Sequence, residues 1–259
     1  MSSKAKIVSF NIRYTFDGDG INSFLHRVGM IIDKIQHEKP DVVCFQEATT
    51  RMRPILDAGL NDYNIIYAAR HADFYGEGIA IAYRKETIDL HCIDRFWLSE
   101  TPYVPDTRYP EQSTIPRVCQ DALLLHKESR KLFRVYNNHL DHAKPEGRLV
   151  GLKQVLNRVA EDNKAYPCPI VVLGDFNAKP EDIVIDYCNK FENGMLTDIT
   201  ADIGGTFHNF GELENPRKID YIYVDKSTAK KEHSVELWDD TINGIFLSDH
   251  YPVSAVFEL

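Results

Sequence analysis

Cysteine is scarce and scattered in this sequence: five residues, at positions 44, 92, 119, 168 and 188, an odd total with no C-x-x-C pair. Those spacings argue against a zinc ribbon and against a disulfide framework. Cys44 and Cys119 sit inside apolar runs, where a free thiol serves as a small hydrophobe, and reduced thiols are expected throughout. No apolar run is long enough to cross a bilayer. The opening residues Met1-Ser2-Ser3-Lys4-Ala5-Lys6 lead straight into a strand-like segment without the apolar stretch of a signal peptide, so a cytoplasmic protein is expected. Positive charge is in deficit: 30 Lys and Arg against 39 Asp and Glu leave a net charge of −9. Proteins that hold nucleic acid by neutralising phosphates are usually basic, so a dedicated, tight DNA binder is disfavoured. A small cationic groove or a bound divalent cation can still offset the field locally. The densest basic cluster, residues 226–231, is broken and reads as a turn. Repeats, low-complexity tracts and linker-like segments are absent too, so one domain over residues 1–259 and a monomer are expected.

What is present is a globular composition, 43% hydrophobic and 27% charged, that supports a buried core. Residues 23–38 carry Phe24, Val28, Ile31, Ile32 and Ile35 at helical spacing, with Asn22 or Ser23 as a cap and Pro40 just beyond. Residues 145–163 form a second helix, with Leu149, Leu152, Val155, Leu156 and Val159 on one side. The apolar run Val42-Val43-Cys44-Phe45 suits a strand buried on both faces. Further strands are expected at 7–10, 79–83, 122–126, 133–139, 170–173, 219–224, 235–238 and 253–257. Residues 98–116 hold four prolines and no periodicity, as in a long surface loop of the kind that is often functional. Many strands with few helices suggest two sheets packed together and flanked by helices.

Polar residues recur at the carboxyl ends of the apolar strands. Asn11 follows Ile7-Val8-Ser9-Phe10, Glu47 follows Phe45-Gln46, His139 ends the run from Phe133, and Asp175 and Asn177 follow Val171-Val172-Leu173-Gly174. Asp220 opens a strand instead, and Asp249 and His250 immediately precede the last one. Ligands in open α/β folds bind at strand ends, so these side chains can converge on one rim. Carboxylates with an amide oxygen suit magnesium or manganese. Histidine donors stabilise phosphoryl charge, and a further Asp can deprotonate an attacking water. Each residue alone has a bland alternative: Asn11 as a turn residue, Glu47 as a surface acid, His139 as a structural histidine. Their joint occurrence in this order carries the weight.

Ser9-Phe10-Asn11-Ile12, Phe45-Gln46-Glu47, Asn138-His139, Gly174-Asp175-Phe176-Asn177, Lys218-Ile219-Asp220-Tyr221 and Ser248-Asp249-His250 resemble, in order, the motifs of the endonuclease/exonuclease/phosphatase superfamily. The resemblance implies a four-layer α/β sandwich, two packed mixed β-sheets flanked by helices, as in deoxyribonuclease I. It also implies in-line attack of water on phosphorus with Mg2+ or Mn2+ as cofactor. Glu47 is then the principal metal ligand, with Asn11 and Asp249 at the metal or its waters. Asp175 is the general base and Asn177 holds the nucleophile or a phosphate oxygen. His250 contacts the scissile phosphate with Asp220 fixing its imidazole, and His139 is a second phosphate donor.

A narrower likeness to a bacterial subgroup rests on Phe96-Trp97-Leu98-Ser99-Glu100-Thr101-Pro102, Pro116-Arg117, Asn138-His139-Leu140-Asp141-His142, Arg148 and Gly205-Thr206-Phe207-His208. It implies phosphate-facing roles for Arg117 and Arg148 and substrate-facing ones for His142 and His208, for which structural roles are the alternative. Phe96-Trp97-Leu98 and Trp238 are read as core packing. The repair enzymes of the superfamily use tyrosine where His139 falls, which argues against abasic-site repair. The expected partner is a phosphodiester or phosphomonoester, with acidity favouring a small phosphorylated compound or a short nucleotide over a nuclease substrate of DNA or RNA. A phospholipid headgroup is a third class. A catalytically silent interaction module would lack a ligand or the base, and every expected position is filled.

Overall fold

The computed structural model describes residues 4–259. The chain runs β1 (Lys4–Asn11), α1 (Phe24–Glu38), β2 (Val42–Thr49), α2 (Arg53–Gly59), β3 (Tyr63–Ala69), β4 (Glu77–Arg84) and β5 (Ile88–Trp97). There follow β6 (Val118–His126), β7 (Lys131–His139), α3 (Pro145–Ala165), β8 (Ile170–Asp175), α4 (Ile183–Lys190) and β9 (Leu196–Asp198). The last part is β10 (Asp220–Asp225), α5 (Lys226–Ala229), β11 (His233–Leu237), the short pair β12 (Thr241–Ile242) and β13 (Ile245–Phe246), and β14 (Val253–Glu258).

Two six-stranded sheets result, in the orders β11-β14-β1-β2-β4-β3 and β5-β6-β7-β8-β10-β9. Each contains one parallel pair, β1 with β2 and β7 with β8, and each pair is linked by a crossover helix, α1 or α3. All other neighbours are antiparallel. The sheets pack face to face over Ile7, Val42, Cys44 and Ile81 from one and Leu124, Val135, Val171 and Ile222 from the other. The outer faces are covered by helices, since strands buried on both sides need a second apolar layer. Phe24, Ile31 and Ile35 of α1 and Leu56 of α2 pack on Phe10, Val43 and Phe45. Leu152, Val155 and Val159 of α3 and Val184 and Ile185 of α4 pack on Val172, Tyr221 and Tyr223. This is the expected four-layer α/β sandwich. Phe96, Trp97, Leu98 and Trp238 are all buried.

Differences from the sequence reading fall at sheet edges and surface helices. β3 and β5 are edge strands absent from the sequence reading; β5 mixes Asp89, His91 and Asp94 among its apolar residues, whereas β3 holds an apolar run from Ile65 to Ala69. β5 is further interrupted by a bulge between Leu90 and Cys92. Residues 226–231 are not simply a turn: α5 forms there because Asp225 caps the backbone N–H groups of Ser227 and Thr228. α1 starts where expected, but Ser23 makes no side-chain cap bond and Asn22 instead ties the β12–β13 hairpin. Residues 98–116 contain no helix or strand. Their end is pressed onto α3, where a Cβ at Gly147 would come within 2.8 Å of the Gln112 backbone. No helix among the described residues is long and apolar enough to cross a membrane.

Candidate active site

Both parallel pairs deliver their carboxyl ends to the same edge of the sandwich. Asn11 ends β1, His139 ends β7 and Asp175 ends β8. Two backbone devices aim these groups. Gly174 adopts φ 137°, and a Cβ there would lie 1.9 Å from Asn138 O. Only glycine lets β8 close on β7 at this point, where His139 and Asp175 stand side by side in register. Glu47 occupies a bulge in β2, between Gln46 and Ala48, with φ 60°. A positive φ at a non-glycine residue is strained, and bulges re-aim side chains at sites. Here the turned-out carboxylate accepts from Asn11 Nδ2 (3.1 Å) and Tyr14 N (3.0 Å).

Two acid–histidine clusters meet at this edge. In the first, ligand atoms of Glu47, Glu77 and His139 lie within 4.8 Å of one another. Burial and the neighbouring Glu47 raise the pKa of Glu77, although Arg70 Nη2 lies 2.9 Å from its carboxylate. Burial, reinforced by Arg117 and Arg70, pushes His139 well below the ordinary imidazole value, so it is neutral. The second cluster, Asp175, Asp220 and His250, is fully buried. Burial opposes charge on His250, but Asp220 Oδ2 at 2.9 Å from Nδ1 overrides it and raises the imidazole, keeping it protonated. Burial and then Asp220 raise Asp175 to about 7.

Asp175 joins the clusters. Its Oδ2 accepts from Asn11 Nδ2 at 3.0 Å and lies 3.5 Å from His139 Nε2 and 3.9 Å from His250 Nε2. Its Oδ1 accepts from the backbone N–H of Asn177, itself at φ 50°. Asp249 accepts from Ser248 Oγ and lies 3.5 Å from Arg13 Nη1.

A cleft of about 530 Å³ opens over these groups. Of the residues expected from sequence, Glu47, Arg117, His139, His142, Asp175, Asn177, Asp249 and His250 line it. Asn11 and Asp220 lie beneath, bonded to lining groups. Arg117 is buried and touches His142 Nδ1 through Nη2 at 3.1 Å, while its Nε and Nη1 have no partner. Two expectations are corrected. Arg148 does not line the cleft: it is buried at the start of α3, donating to Asp182 and to the Asp141 carbonyl. His208 is likewise buried, stacked on Tyr251 at 3.9 Å, with Nδ1 accepting from Gly211 N. Both are consumed by the loops that frame the site. The sequence reading missed Glu77 and the lining cations Arg13, Lys179 and Arg217. Glu77 had no signal, because it opens an antiparallel strand after a hairpin glycine instead of ending an apolar one.

Comparison with known proteins agrees with this fold. A structure described as an endonuclease/exonuclease/phosphatase from Bacteroides vulgatus is 27% identical and superposes with a TM-score of 0.89 over 99% of both chains. A mannosyl-6-phosphatase from Bacteroides thetaiotaomicron VPI-5482 is 25% identical, with a TM-score of 0.84 over 97% of this chain and 98% of that one. An uncharacterised protein of Acanthamoeba polyphaga mimivirus is 26% identical over 98% of this chain and its own full length. The sequence model described as Endonuclease/Exonuclease/phosphatase family matches residues 8–250, so the chain belongs to that family of phosphoesterases and nucleases.

Proposed function

We propose that the protein is a Mg2+- or Mn2+-dependent phosphoesterase that hydrolyses a small phosphorylated compound. The observation that carries this reading is the placement of Asp175 between a neutral and a protonated histidine at the floor of one cleft. A carboxyl near neutrality within reach of a bound water is suited to general-base work. In this reading Asp175 takes the proton of the attacking water, and Asn177 and Asn11 fix its carboxylate and the nucleophile. His250 presents a charged Nε2–H to a phosphoryl oxygen, and Asp220 keeps that imidazole oriented and protonated. The unpartnered N–H groups of Arg117 supply further donors to the same phosphate.

The outer cluster fits a divalent cation. Burial and then the facing Glu47 both disfavour charge on Glu77, and an ion between the two carboxylates relieves their repulsion. Glu47, Glu77 and His139 would hold it, with Asn11 and Asp249 flanking Glu47. The ion supplies positive charge opposite the charge that develops on the phosphoryl oxygens. A small substrate is supported by the net charge of −9 and by similarity to a protein described as a mannosyl-6-phosphatase.

The test is hydrolysis of p-nitrophenyl phosphate, its bis ester, hexose phosphates and short oligonucleotides, with Mg2+, Mn2+ or EDTA. Turnover of a small monoester that EDTA abolishes is the expected result. Turnover confined to oligonucleotides would replace this reading with a nuclease, and metal-independent turnover would overturn the cofactor assignment.

A further inference from the structure

The cations around the cleft divide by whether the fold already neutralises them. Arg13 lies 3.0 Å from Asp19 and 3.5 Å from Asp249, and Arg70 is paired with Glu77. Arg117 is deep and faces the phosphate position proposed above. Lys179 and Arg217 are different: both are exposed on the rim, and among the described residues neither has a carboxylate at ion-pair distance. A lone exposed cation is ordinary. These two are informative because the backbone fixes both next to the chemistry.

Their loops are tied together, with Phe176 N donating to Ile219 O at 2.9 Å. Lys179 stands two residues beyond Asn177, and its carbonyl is held by Asp182 N. Arg217 exchanges backbone hydrogen bonds with Phe207 in both directions, at 2.9 Å each. Its guanidinium lies over the Phe207 ring at 5.5 Å, and that ring packs against the His250 imidazole at 4.9 Å. Arg217 is thus held two ring contacts from His250, on the exposed rim, whereas Asp175 and Arg117 are buried at the floor. Of the acids that line the cleft, none lies at ion-pair distance from either cation.

We propose that Lys179 and Arg217 form a subsite for a second anionic group, so that the preferred ester is a small molecule carrying two, such as a bisphosphate or a phosphate with a carboxylate. The inference rests on the phosphoesterase reading for its scissile phosphate. A polynucleotide would require a longer track of cations, and the two rim cations match one further anion.

The experiment is calorimetric titration of the full chain in Mg2+ with hexamethylene bisphosphonate and with hexylphosphonate, whose P–C bonds resist hydrolysis. The bisphosphonate should bind about tenfold more tightly, the order expected of added charge-assisted hydrogen bonds. The double variant Lys179→Ala/Arg217→Ala should bring the ratio of the two affinities to about one. An unchanged ratio, or equal weakening of both probes, overturns the subsite. Tighter binding of octathymidylate than of the bisphosphonate, lost in the same double variant, overturns the small-molecule assignment. Because no turnover is needed, the two readings fail separately. Preserved discrimination in a protein that cleaves no ester would remove the phosphoesterase reading alone, whereas turnover without discrimination would remove the subsite alone.

Discussion

Glu47, Glu77 and His139 on one side of the cleft, and Asp175, Asp220 and His250 on the other, are assembled from the same residue types but set to opposite states. The outer cluster has two partly exposed carboxylates, close enough to repel, and a histidine kept neutral by burial and by Arg117 and Arg70. The inner cluster is wholly buried, and its histidine is charged because Asp220 bonds it directly. A neutral imidazole beside two acids is a ligand set. A charged imidazole braced by a carboxylate is a donor to an anion. Residue type therefore does not distinguish the proposed metal half of the site from the proposed phosphate half; the partner each histidine is given does.

Removing the residue that joins the halves should have the largest effect. Asp175→Asn is expected to lower kcat about 10³- to 10⁴-fold, the upper range for loss of a general acid–base group. Its melting temperature should change little, since relief of a buried acid with a raised pKa offsets the one acceptor that an amide loses toward Asn11 or Asn177. Near-wild-type turnover would break the comparison at its centre. Asp220→Asn attacks the inner half alone and should cost about 10²-fold in kcat. Its pH profile is the sharper readout. Without Asp220 the folded pKa of His250 falls, so activity should drop as pH rises through that lowered value, in a range where the wild type still holds its charge. A profile parallel to wild type would mean Asp220 does not set the histidine's state. Glu77→Gln attacks the outer half and should weaken Mn2+ binding, read by calorimetry, about 10- to 100-fold. Unchanged affinity would remove Glu77 from the metal half.

How far these halves were legible from sequence follows from strand direction. Asn11, His139 and Asp175 end apolar runs in parallel pairs, and Glu47 sits at the bulge of another, so a polar residue after a hydrophobic stretch marked each one. Asp220, Asp249 and His250 were legible through motif resemblance, not periodicity. Glu77, Lys179 and Arg217 were not legible, because an antiparallel strand start and two loop cations share no local pattern that separates them from ordinary surface charge. Arg148 and His208 show the converse failure. Their motifs were real, but the side chains are spent on Asp182 and on Tyr251, partners 34 and 43 positions away in sequence that only the fold supplies. The edge strand β5 escaped because polar residues interrupt its apolar ones, whereas β3 escaped although Ile65-Ile66-Tyr67-Ala68-Ala69 is an apolar run.

The smallest expected effect concerns an acid that resembles Asp175 electrostatically but lies outside the cleft. Asp121 is 2% exposed on β6, burial raises it to about 6 from 3.8, and one carboxylate oxygen has no hydrogen-bond partner. Arg158 at 3.6 Å offsets part of the cost. Because the folded pKa lies above the unfolded one, the native state binds this proton more tightly. The group therefore costs nothing below about pH 4 and destabilises progressively as pH rises to about 6. Asp121→Asn should remove that cost. The gain in unfolding free energy over wild type should grow from near zero at low pH to about 2–3 kcal/mol at pH 7, from about 1.4 kcal/mol for each unit of the shift. Turnover should be unaffected, since Asp121 does not line the cleft and its ion-pair partner Arg158 does not either. A stability difference that is flat with pH would show that Asp121 is not held protonated. A loss of activity would show that burial of an acid on the outer face of this sheet reaches the site, and the contrast between the two clusters would then need a third member.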